Sequence, residues 1–274
     1  MTSPSNGAFD GQSRAYAVAS ETADLAPWNF ERRQPRPDDV AIEILYCGVC
    51  HSDLHVGRND WGFSQYPLVP GPEIVGRVTQ VGNDVSQYKV GDMVGVGCMV
   101  DSCRECSACQ KGLEQYCLDG MTMTYGSPDR HDGSLTQGGY SDKIVVSERF
   151  VVSIPDKLDP AVAAPLLCAG VTTYSPLRHY GVKSGDKVGV IGMGGLGHMG
   201  IKFAKAMGCE VTLFTRSESK VEEARENGVD HVIVSTDDEQ MAGATETFDF
   251  LLDTVPVPHD LNPYLNTLKY DGTH

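Results

Sequence analysis

Four cysteines stand close together in the middle of the chain, in the pattern Cys103-x2-Cys106-x2-Cys109-x7-Cys117. Four thiols at this spacing can converge on one tetrahedral ion, with zinc–sulfur distances of about 2.3 Å. The flanking residues are charged or polar, so packing in an apolar core does not explain the cluster. A metal with four protein ligands has no open position. The pattern therefore predicts a structural zinc; an iron–sulfur centre or a redox cluster is the alternative.

A second group of residues with possible chemistry is scattered along the chain. Cys50 opens the sequence CHSDLH, Gly71-Pro72-Glu73 follows, and Cys168 lies far downstream. A single cysteine is more often a small core residue than a ligand. Beside imidazole and carboxylate groups, however, the two cysteines are interpreted as part of a metal site. Those neighbouring groups are His51, Asp53, His55 and Glu73.

A glycine-rich segment, Gly192-x-Gly194-Gly195-x-Gly197, follows an apolar run and precedes a helical one. Between a strand and a helix this pattern is typical of dinucleotide binding, because glycines let the backbone approach a pyrophosphate at the helix N-terminus. The alternative is a glycine-rich turn with no cofactor. The residues predicted to contact the cofactor at this turn are Gly192, Gly194, Gly195, Leu196 and Gly197.

The end of the next predicted strand favours one dinucleotide over the other. NAD sites place Asp or Glu there to bind the ribose 2′-hydroxyl. This chain has Thr215-Arg216-Ser217 instead, with Lys220 one helical turn later and no carboxylate before Glu218. Two cations and two hydroxyls suit a 2′-phosphate. The segment therefore predicts NADP(H); a solvated helix start with an ordinary serine cap is the alternative.

The predicted secondary structure that positions these residues changes near Pro155, from short strands to alternating strands and helices. Before it, short β segments alternate with Gly and Pro, which indicates a β-rich, barrel-like unit. After it, strands alternate with helices, which is typical of a parallel sheet. The predicted strands are 40–45, 74–81, 92–96, 186–191, 210–215, 231–235 and 248–253, with helical segments at 159–180, 201–207 and 218–227.

We therefore predict an α/β protein with a β-rich N-terminal part and two domains. Residues 1–157 form the zinc-binding domain, with the structural-zinc lobe at about 98–120, and residues 158–274 form the dinucleotide-binding domain. Gly272 occupies the place of a helix-to-strand turn, and no strand is predicted after it. The second domain is accordingly expected to be incomplete at its C-terminus.

Composition limits the class of protein further. The 274 residues carry 37 acidic and 22 basic side chains, a formal charge of -15. This charge argues against nucleic acid and anionic membranes as partners. No apolar run approaches the roughly 18 residues that a membrane span needs. No basic segment followed by an apolar one opens the chain, so a cytoplasmic enzyme is expected.

Taken together, these residues resemble the zinc-dependent medium-chain alcohol dehydrogenases over about residues 15–274. The resemblance is to the NADP-dependent cinnamyl-alcohol-dehydrogenase-like branch and to bacterial aldehyde reductases. It is carried by GVCHSDLH at 48–55, TQGGYSD at 136–142, and the segments GMGGLGHMG and LLDTVPVPHDL. It implies a GroES-like catalytic domain, a Rossmann domain, and hydride transfer between nicotinamide and a primary alcohol or aldehyde.

The resemblance also implies roles for individual residues. Cys50 and Cys168 would bind the catalytic zinc, Ser52 would bond the substrate oxygen, and His55 would relay its proton to solvent. Asp53 would orient the metal-bound histidine, and His51 would contact the cofactor. The four lobe cysteines would hold the structural zinc.

One departure from the family pattern affects the catalytic zinc. The family has Gly-His-Glu, whose His is the third zinc ligand, whereas this chain has Gly71-Pro72-Glu73. Proline offers no donor atom, so Cys50, Cys168 and Glu73 remain as ligands, and Asp53 loses its usual partner. The alternative function is therefore a homologue that binds NADPH with little or no turnover.

The other departure is the end of the chain, since family members continue by about half a domain. The longer form is expected to be a homodimer with small alcohols or aldehydes as substrates.

Two further hypotheses stay open. One is a zinc-free reductase of the quinone-reductase branch, which the cysteine lobe argues against; the other is a fragment that acts only as an assembly partner.

Overall fold

A computed structural model of the chain describes residues 9–274. The chain divides into two compact units that meet between Cys168 and Ala169. No helix within the described residues is long and apolar enough to cross a membrane.

The first unit, as described from residue 9 onward, is built mainly of antiparallel strands. Its larger sheet has five strands in the order β8-β3-β4-β5-β9, and two smaller sheets pair β1 with β2 and β6 with β7. The strands are β1 (Gln12–Ala17), β2 (Ala26–Glu31), β3 (Asp39–Cys47), β4 (Ile74–Val81), β5 (Met93–Val96), β6 (Met99–Asp101), β7 (Thr122–Met123), β8 (Lys143–Ser147) and β9 (Val151–Ser153), and the helices are α1 (His51–Gly57) and α2 (Pro160–Ala163).

The larger sheet forms because β-branched residues fill its central strands. These side chains pack into one buried cluster, and burying each large aliphatic side chain contributes about 1.5–3 kcal/mol. The predicted strands 40–45, 74–81 and 92–96 are confirmed as β3, β4 and β5. The cluster comprises Val40, Ile42, Ile74, Val78, Val94, Val96, Ile144, Val146 and Val151.

The first unit extends further along the chain than the sequence predicted. The predicted domain boundary lay between residues 157 and 158, whereas the unit continues to Cys168. Helix α2 and the 3₁₀ turn Ala164–Leu167 pack on the sheet, where Ala163 and Ala164 join a cluster with Val75 and Ile154. Small side chains allow this close approach, so the segment belongs to the first unit by packing.

The second unit is a parallel sheet with the strand order β12-β11-β10-β13-β14. This is the order of the first five strands of the Rossmann fold, 3-2-1-4-5. The strands are β10 (Lys187–Ile191), β11 (Glu210–Thr215), β12 (His231–Val234), β13 (Phe248–Asp253) and β14 (Leu268–Thr273), and the helices are α3 (Ala169–His179), α4 (Gly195–Ala206), α5 (Val221–Glu226), α6 (Asp238–Gly243) and α7 (Asn262–Leu265).

The expectation that Gly272 lies in a helix-to-strand turn, after four strands, is wrong. Gly272 lies inside β14, which pairs in parallel with β13. The sequence LKYDGT gave no strand signal because the strand is only partly buried, so it lacks an apolar alternation. A side chain at Gly272 would meet the Leu268 side chain at 2.8 Å and the Phe248 carbonyl at 3.0 Å, which explains the glycine.

Candidate functional site

The four lobe cysteines converge as their spacing predicted. Their sulfur atoms all lie within 4.8 Å of one another. Cys103 and Cys109 are 3.9 Å apart at sulfur, and Cys106 and Cys109 are 3.5 Å apart. Four ligands at about 2.3 Å around a tetrahedral zinc lie about 3.8 Å from each other. The donor set therefore fits a closed zinc site.

Backbone N–H groups surround the lobe thiols. The N–H of Cys103 donates to the Cys117 sulfur at 3.3 Å, and that of Cys106 donates to the Cys103 sulfur at 3.3 Å. Bonds from the backbone N–H groups of Cys109 and Leu118 lower the pKa of Cys106 to about 6. These bonds favour the thiolate, which is the form that binds a metal.

An arginine with a left-handed backbone ties the lobe to the sheet. Arg104 has φ 63°. Its guanidinium bonds the Asp38 carboxylate at 2.9 Å and the Asp101 carboxylate at 2.9 Å. Asp38 directly precedes β3 and Asp101 ends β6, so the pair fixes the lobe loop at its first cysteine.

A second set of possible metal ligands is assembled from three distant segments. Cys50 precedes helix α1, Glu73 precedes β4, and Cys168 follows the 3₁₀ turn Ala164–Leu167. Their ligand atoms lie within 4.8 Å of one another, and all three side chains are buried. The two sulfurs are 3.4 Å apart. This is the set that the sequence proposed for the catalytic zinc.

The environment of these two thiols differs from that of the lobe. The hydrogen bond between the thiols and burial raise the pKa of Cys50 well above its usual range. The same bond lowers the pKa of Cys168, but the neighbouring Cys98 thiol and burial outweigh it and raise that pKa to about 12. Both groups are therefore protonated thiols without a metal, and metal binding would release their protons.

Asp53 lacks the imidazole of the family pattern, as expected from Pro72, but it has other hydrogen-bond partners in this chain. Its carboxylate accepts the N–H of Gly71 at 2.9 Å and that of Cys50 at 2.9 Å. The Tyr140 hydroxyl donates to it at 3.0 Å, and Tyr125 bonds it as well. Burial raises the pKa of Asp53 despite these bonds. Asp53 thus connects the backbones of two segments that carry ligands, although position 72 holds no imidazole.

Sequence reasoning missed the two tyrosines beside Asp53. Tyr140 lies in the TQGGYSD segment quoted for the resemblance, but nothing in its spacing indicates a contact with Asp53. Arg32 positions this segment, since its buried guanidinium bonds the carbonyls of Gln137 at 2.6 Å and Gly138 at 2.9 Å. Only the folded chain brings these residues together.

Ser52 and His55 lie on helix α1, which begins directly after Cys50. The Ser52 hydroxyl is 3.5 Å from the Cys50 sulfur. His55 bonds the Asp60 carboxylate through Nδ1 at 2.8 Å. Its ring stacks on His51, with centroids 4.6 Å apart, and on Trp61 at 5.3 Å. A hydroxyl, an oriented imidazole and an aromatic wall are therefore adjacent on one helix and the loop after it.

The glycine-rich turn has the geometry that close approach of a phosphate requires. Gly192 has φ 85°, and a side chain at Gly197 would meet the Gly192 carbonyl oxygen at 2.1 Å. Side chains at Gly194 or Gly195 would meet no described atom within 4 Å, so space is open at the start of α4. Helix α4 begins at Gly195, earlier than the predicted residue 201, and its N-terminus faces this space. Leu196 lies in its first turn.

The end of β11 is exposed and polar. Ser217 caps the following 3₁₀ turn, and its hydroxyl lies 2.7 Å from that of Ser219. Arg216 is exposed and forms no ion pair with any residue from 9 to 274, whereas Lys220 lies 3.5 Å from the Glu223 carboxylate. Thr215 accepts the Ser217 N–H. Of the residues predicted to contact the cofactor, His51 lies in the first unit and the others in the second.

Comparison with known families assigns both units. The alcohol dehydrogenase GroES-like domain matches residues 36–156, and the zinc-binding dehydrogenase domain matches residues 195–274. The aldehyde reductase YahK of Escherichia coli (strain K12) is 54% identical over 261 residues, which cover 95% of this chain and 74% of that protein.

Solved structures give the same assignment. A cinnamyl alcohol dehydrogenase from Sorghum bicolor superposes with a TM-score of 0.92 at 46% identity, over 95% of this chain and 74% of that one. The CAD from Helicobacter pylori, described as complexed with NADP(H), has a TM-score of 0.91 at 43% identity, over 96% and 75% of the two chains. The predicted resemblance and fold class are confirmed, and the chain belongs to the zinc-binding alcohol dehydrogenase family of oxidoreductases.

Proposed function

We propose that the chain interconverts a primary alcohol and an aldehyde with NADP(H) and a zinc ion held by Cys50, Glu73 and Cys168. The observation that carries this proposal is the buried convergence of these three donors beside Ser52. The sulfur–sulfur distance of 3.4 Å is close to the roughly 3.8 Å of a tetrahedral zinc. Two thiols and a carboxyl are ligands that zinc accepts. When bound, zinc would polarise a carbonyl oxygen and NADPH would supply a hydride.

The chain's own part in the reaction is to move a proton and hold the substrate. The Ser52 hydroxyl, adjacent to the Cys50 sulfur, would donate its proton to the oxygen of the reduced carbonyl. His55 lies one helical turn away and would replace that proton. The Asp60 carboxylate favours the proton on His55 Nδ1, which leaves Nε2 for exchange. Trp61 and Phe63, half exposed with centroids 5.9 Å apart, would contact an apolar substrate.

The second unit would bind NADP(H) through the glycine turn and the end of β11. The pyrophosphate would lie at the open N-terminus of α4, near Gly194 and Gly195. Arg216, Ser217 and Lys220 would contact the 2′-phosphate, because Arg216 has no competing ion pair among the described residues. The lobe cysteines would hold a separate, structural zinc.

The test measures aldehyde-dependent oxidation of NADPH and NADH together with direct binding of each cofactor. The chain should bind NADPH more tightly than NADH, and Ser52→Ala should lower kcat by at least about a hundredfold. Thr215→Asp combined with Arg216→Ser should reverse the cofactor preference. The matched control is Glu218→Gln, which alters a neighbouring exposed residue and should leave the preference unchanged. Equal affinity for the two cofactors in the unmodified chain would contradict the NADP(H) assignment.

A second candidate function is favoured by Pro72, which replaces a ligand of the family pattern. In this case the chain binds NADPH but turns over little or no aldehyde. Tight NADPH binding without zinc at the Cys50 set, and without oxidation of NADPH, would support this alternative. Elemental analysis after mild chelation separates the two, because two retained zinc ions support the enzyme and one supports the binding protein.

We further propose a cytoplasmic location and a homodimeric longer form. The reduced thiols of both cysteine sets support the location, since all nine cysteines are free. Fractionation of cells and sedimentation of the longer protein test the two proposals separately. Recovery in an oxidising compartment, or a monomer at all concentrations, would contradict them.

A further inference from the structure

We propose that Cys98 supplies a third thiolate to the zinc bound by Cys50 and Cys168, in place of the donor that Pro72 lacks. The inference rests on the proposed function, because it concerns the same metal. It differs from that proposal by adding a ligand that neither the lobe pattern nor the expected catalytic set contains. Cys98 lies at the start of the lobe segment, shortly before Cys103, yet its sulfur does not belong to the lobe cluster.

Two glycines bring Cys98 to the Cys168 segment. A side chain at Gly97 would meet the Leu167 carbonyl oxygen at 2.8 Å, and one at Gly95 would meet the Leu167 side chain at 2.7 Å. The end of β5 can therefore lie directly against Leu167, the residue before Cys168. The Cys98 sulfur is 3.9 Å from the Leu167 carbonyl oxygen.

The backbone at Cys98 is fixed as well. The Thr124 N–H donates to the Cys98 carbonyl at 3.1 Å, and the Thr124 hydroxyl donates to the Gly97 carbonyl. Thr124 is buried. The main chain thus holds the Cys98 side chain beside Cys168, and rotation about its Cα–Cβ bond is the freedom that remains.

Chemistry favours a ligand role over that of an inert core thiol. The Cys98 thiol lies close enough to the Cys168 thiol to interact with it, so it is a neighbour of one of the two sulfurs expected to bind zinc. The Cys98 sulfur is outside the three donors that lie within 4.8 Å of one another, so metal binding must turn it toward them. On coordination the Cys98 S–H bond breaks, the sulfur binds zinc as a thiolate, and the proton leaves to solvent.

A third thiolate would offset the missing imidazole. Zinc with three sulfur ligands and Glu73 is closed, and release of the carboxylate would open a position for the substrate oxygen. Among these ligands we expect Glu73 to leave the zinc most easily, because a carboxylate oxygen suits a zinc with several thiolate ligands less well than sulfur does. Cys98 therefore gives this chain a way to keep three protein ligands while one position opens.

The experiment counts thiolates at this site with cobalt. The lobe is first filled with zinc, and Co²⁺ is then titrated into the remaining site of the whole chain. The thiolate-to-cobalt absorption in the near ultraviolet grows with the number of bound thiolates. Cys98→Ser should lower this absorption by about one third and weaken Co²⁺ binding by at least about tenfold, since even residues outside the ligand set cost about 10–100-fold.

The matched control is Cys47→Ser, which removes another partly buried thiol close to the same region. Cys47 donates to the Gly48 carbonyl at 3.4 Å and is not among the grouped donors. Its substitution should leave the absorption and the affinity unchanged. Pro72→His added to Cys98→Ser should recover the affinity without the lost absorption, because an imidazole gives no thiolate band.

The outcomes separate the inference from the proposed function. If Cys98→Ser binds cobalt with unchanged absorption and affinity, the inference is wrong and the three-donor site stands. If the unmodified chain binds no metal outside the lobe, both are wrong. Should Cys98→Ser fail to fold, X-ray absorption at the cobalt of the unmodified chain counts its sulfur neighbours directly. Three support the inference, and two overturn it.

Discussion

The lobe cysteines and the buried Cys50 set are two thiol clusters in the same unit, built in opposite ways. All four lobe donors come from one short segment, and backbone N–H bonds lower the pKa of Cys106 to about 6. The other set joins three segments that are far apart in sequence, and the pKa of Cys168 rises to about 12. In the lobe, hydrogen bonds lower the pKa values of Cys106 and Cys117, although that of Cys109 rises to about 11. In the buried set the pKa values of both Cys50 and Cys168 are raised, so both thiols must lose protons to bind a metal.

We therefore expect the lobe to depend on bound metal for its folding, whereas the fold of the first unit assembles the buried set without metal. The lobe has only two short strands and two 3₁₀ turns around the thiols, so little besides a metal can hold the segment together. The Cys50 set is held by the sheet, by helix α1 and by the bonds of Asp53. Loss of metal should therefore unfold the lobe but leave the buried set in place.

The largest expected effect comes from breaking the lobe. Cys106→Ser should weaken zinc binding there by at least about a hundredfold, because structural zinc sites in small domains contribute about 10–16 kcal/mol in total. Zinc content and proteolysis between residues 98 and 120 measure the effect. Ser107→Ala, at an exposed neighbour, is the matched control and should change neither. An intact, protease-resistant lobe in Cys106→Ser would mean that the lobe folds without its metal.

The second prediction concerns the buried Cys50 set, where a substitution should strengthen metal binding instead of weakening it. Pro72→His places an imidazole beside Glu73, so metal affinity at this set should rise at least about tenfold, or about 1.4 kcal/mol. Competition with a chromogenic chelator measures the affinity. Pro72→Ala controls for the loss of proline without a new donor. If Pro72→Ala tightens binding as much as Pro72→His does, backbone freedom rather than the imidazole is responsible.

The sequence predicted the lobe better than the buried set, because the lobe ligands come from one short segment and the buried ligands from three distant ones. The spacing of its four cysteines is enough to make them converge, since a short loop limits how far apart they can lie. The convergence of Cys50, Glu73 and Cys168 depends on three distant segments. The neighbouring residue types indicated a metal site, but only the resemblance implied this set of ligands. The convergence of both sets is observed, and the metals they hold stay predictions.

The same limit applies to the fold and to the contacts around the site. Strands with a clear apolar pattern, such as 74–81 and 210–215, were predicted with their observed bounds. The partly buried strand β14 and the early start of α4 at Gly195 were missed, because neither shows an apolar period. Tyr140 and Cys98 could not be predicted as neighbours of Asp53 and Cys168, since strand pairing and close glycine contacts bring them there.

Removal of a hydroxyl that holds Asp53 should weaken metal binding less, and at the buried set alone. Tyr140→Phe deletes the hydroxyl that donates to Asp53 at 3.0 Å. Metal binding at the Cys50 set should weaken by about tenfold, the low end for groups that orient ligands, while the lobe keeps its zinc. Tyr88→Phe is the matched control, because its hydroxyl bonds the Val151 carbonyl elsewhere in the unit. Equal loss of metal from both clusters would show that Tyr140 supports the whole unit instead.

The smallest effect is expected where the lobe meets the sheet. Burial raises the pKa of Asp38, but bonds from Arg104 and Ser147 outweigh it, so the pKa lies below its usual range. A carboxyl with a lowered pKa in the folded state stabilises the protein above its ordinary pKa, and this contribution is lost as pH falls through the folded value. The pair is partly exposed and screened by water, so Asp38→Asn should cost at most about 1 kcal/mol at pH 7.

Urea unfolding of the parent and of Asp38→Asn, each at pH 7 and again below the usual carboxyl pKa of about 4, measures this contribution. The two proteins should differ at pH 7 and converge in acid, because the parent carboxyl is then protonated as well. Asp84→Asn, at an exposed position with no ion pair among the described residues, should match the parent at both pH values. A difference that persists in acid would assign the effect of Asp38 to its neutral hydrogen bond with Ser147 rather than to the charge of Arg104.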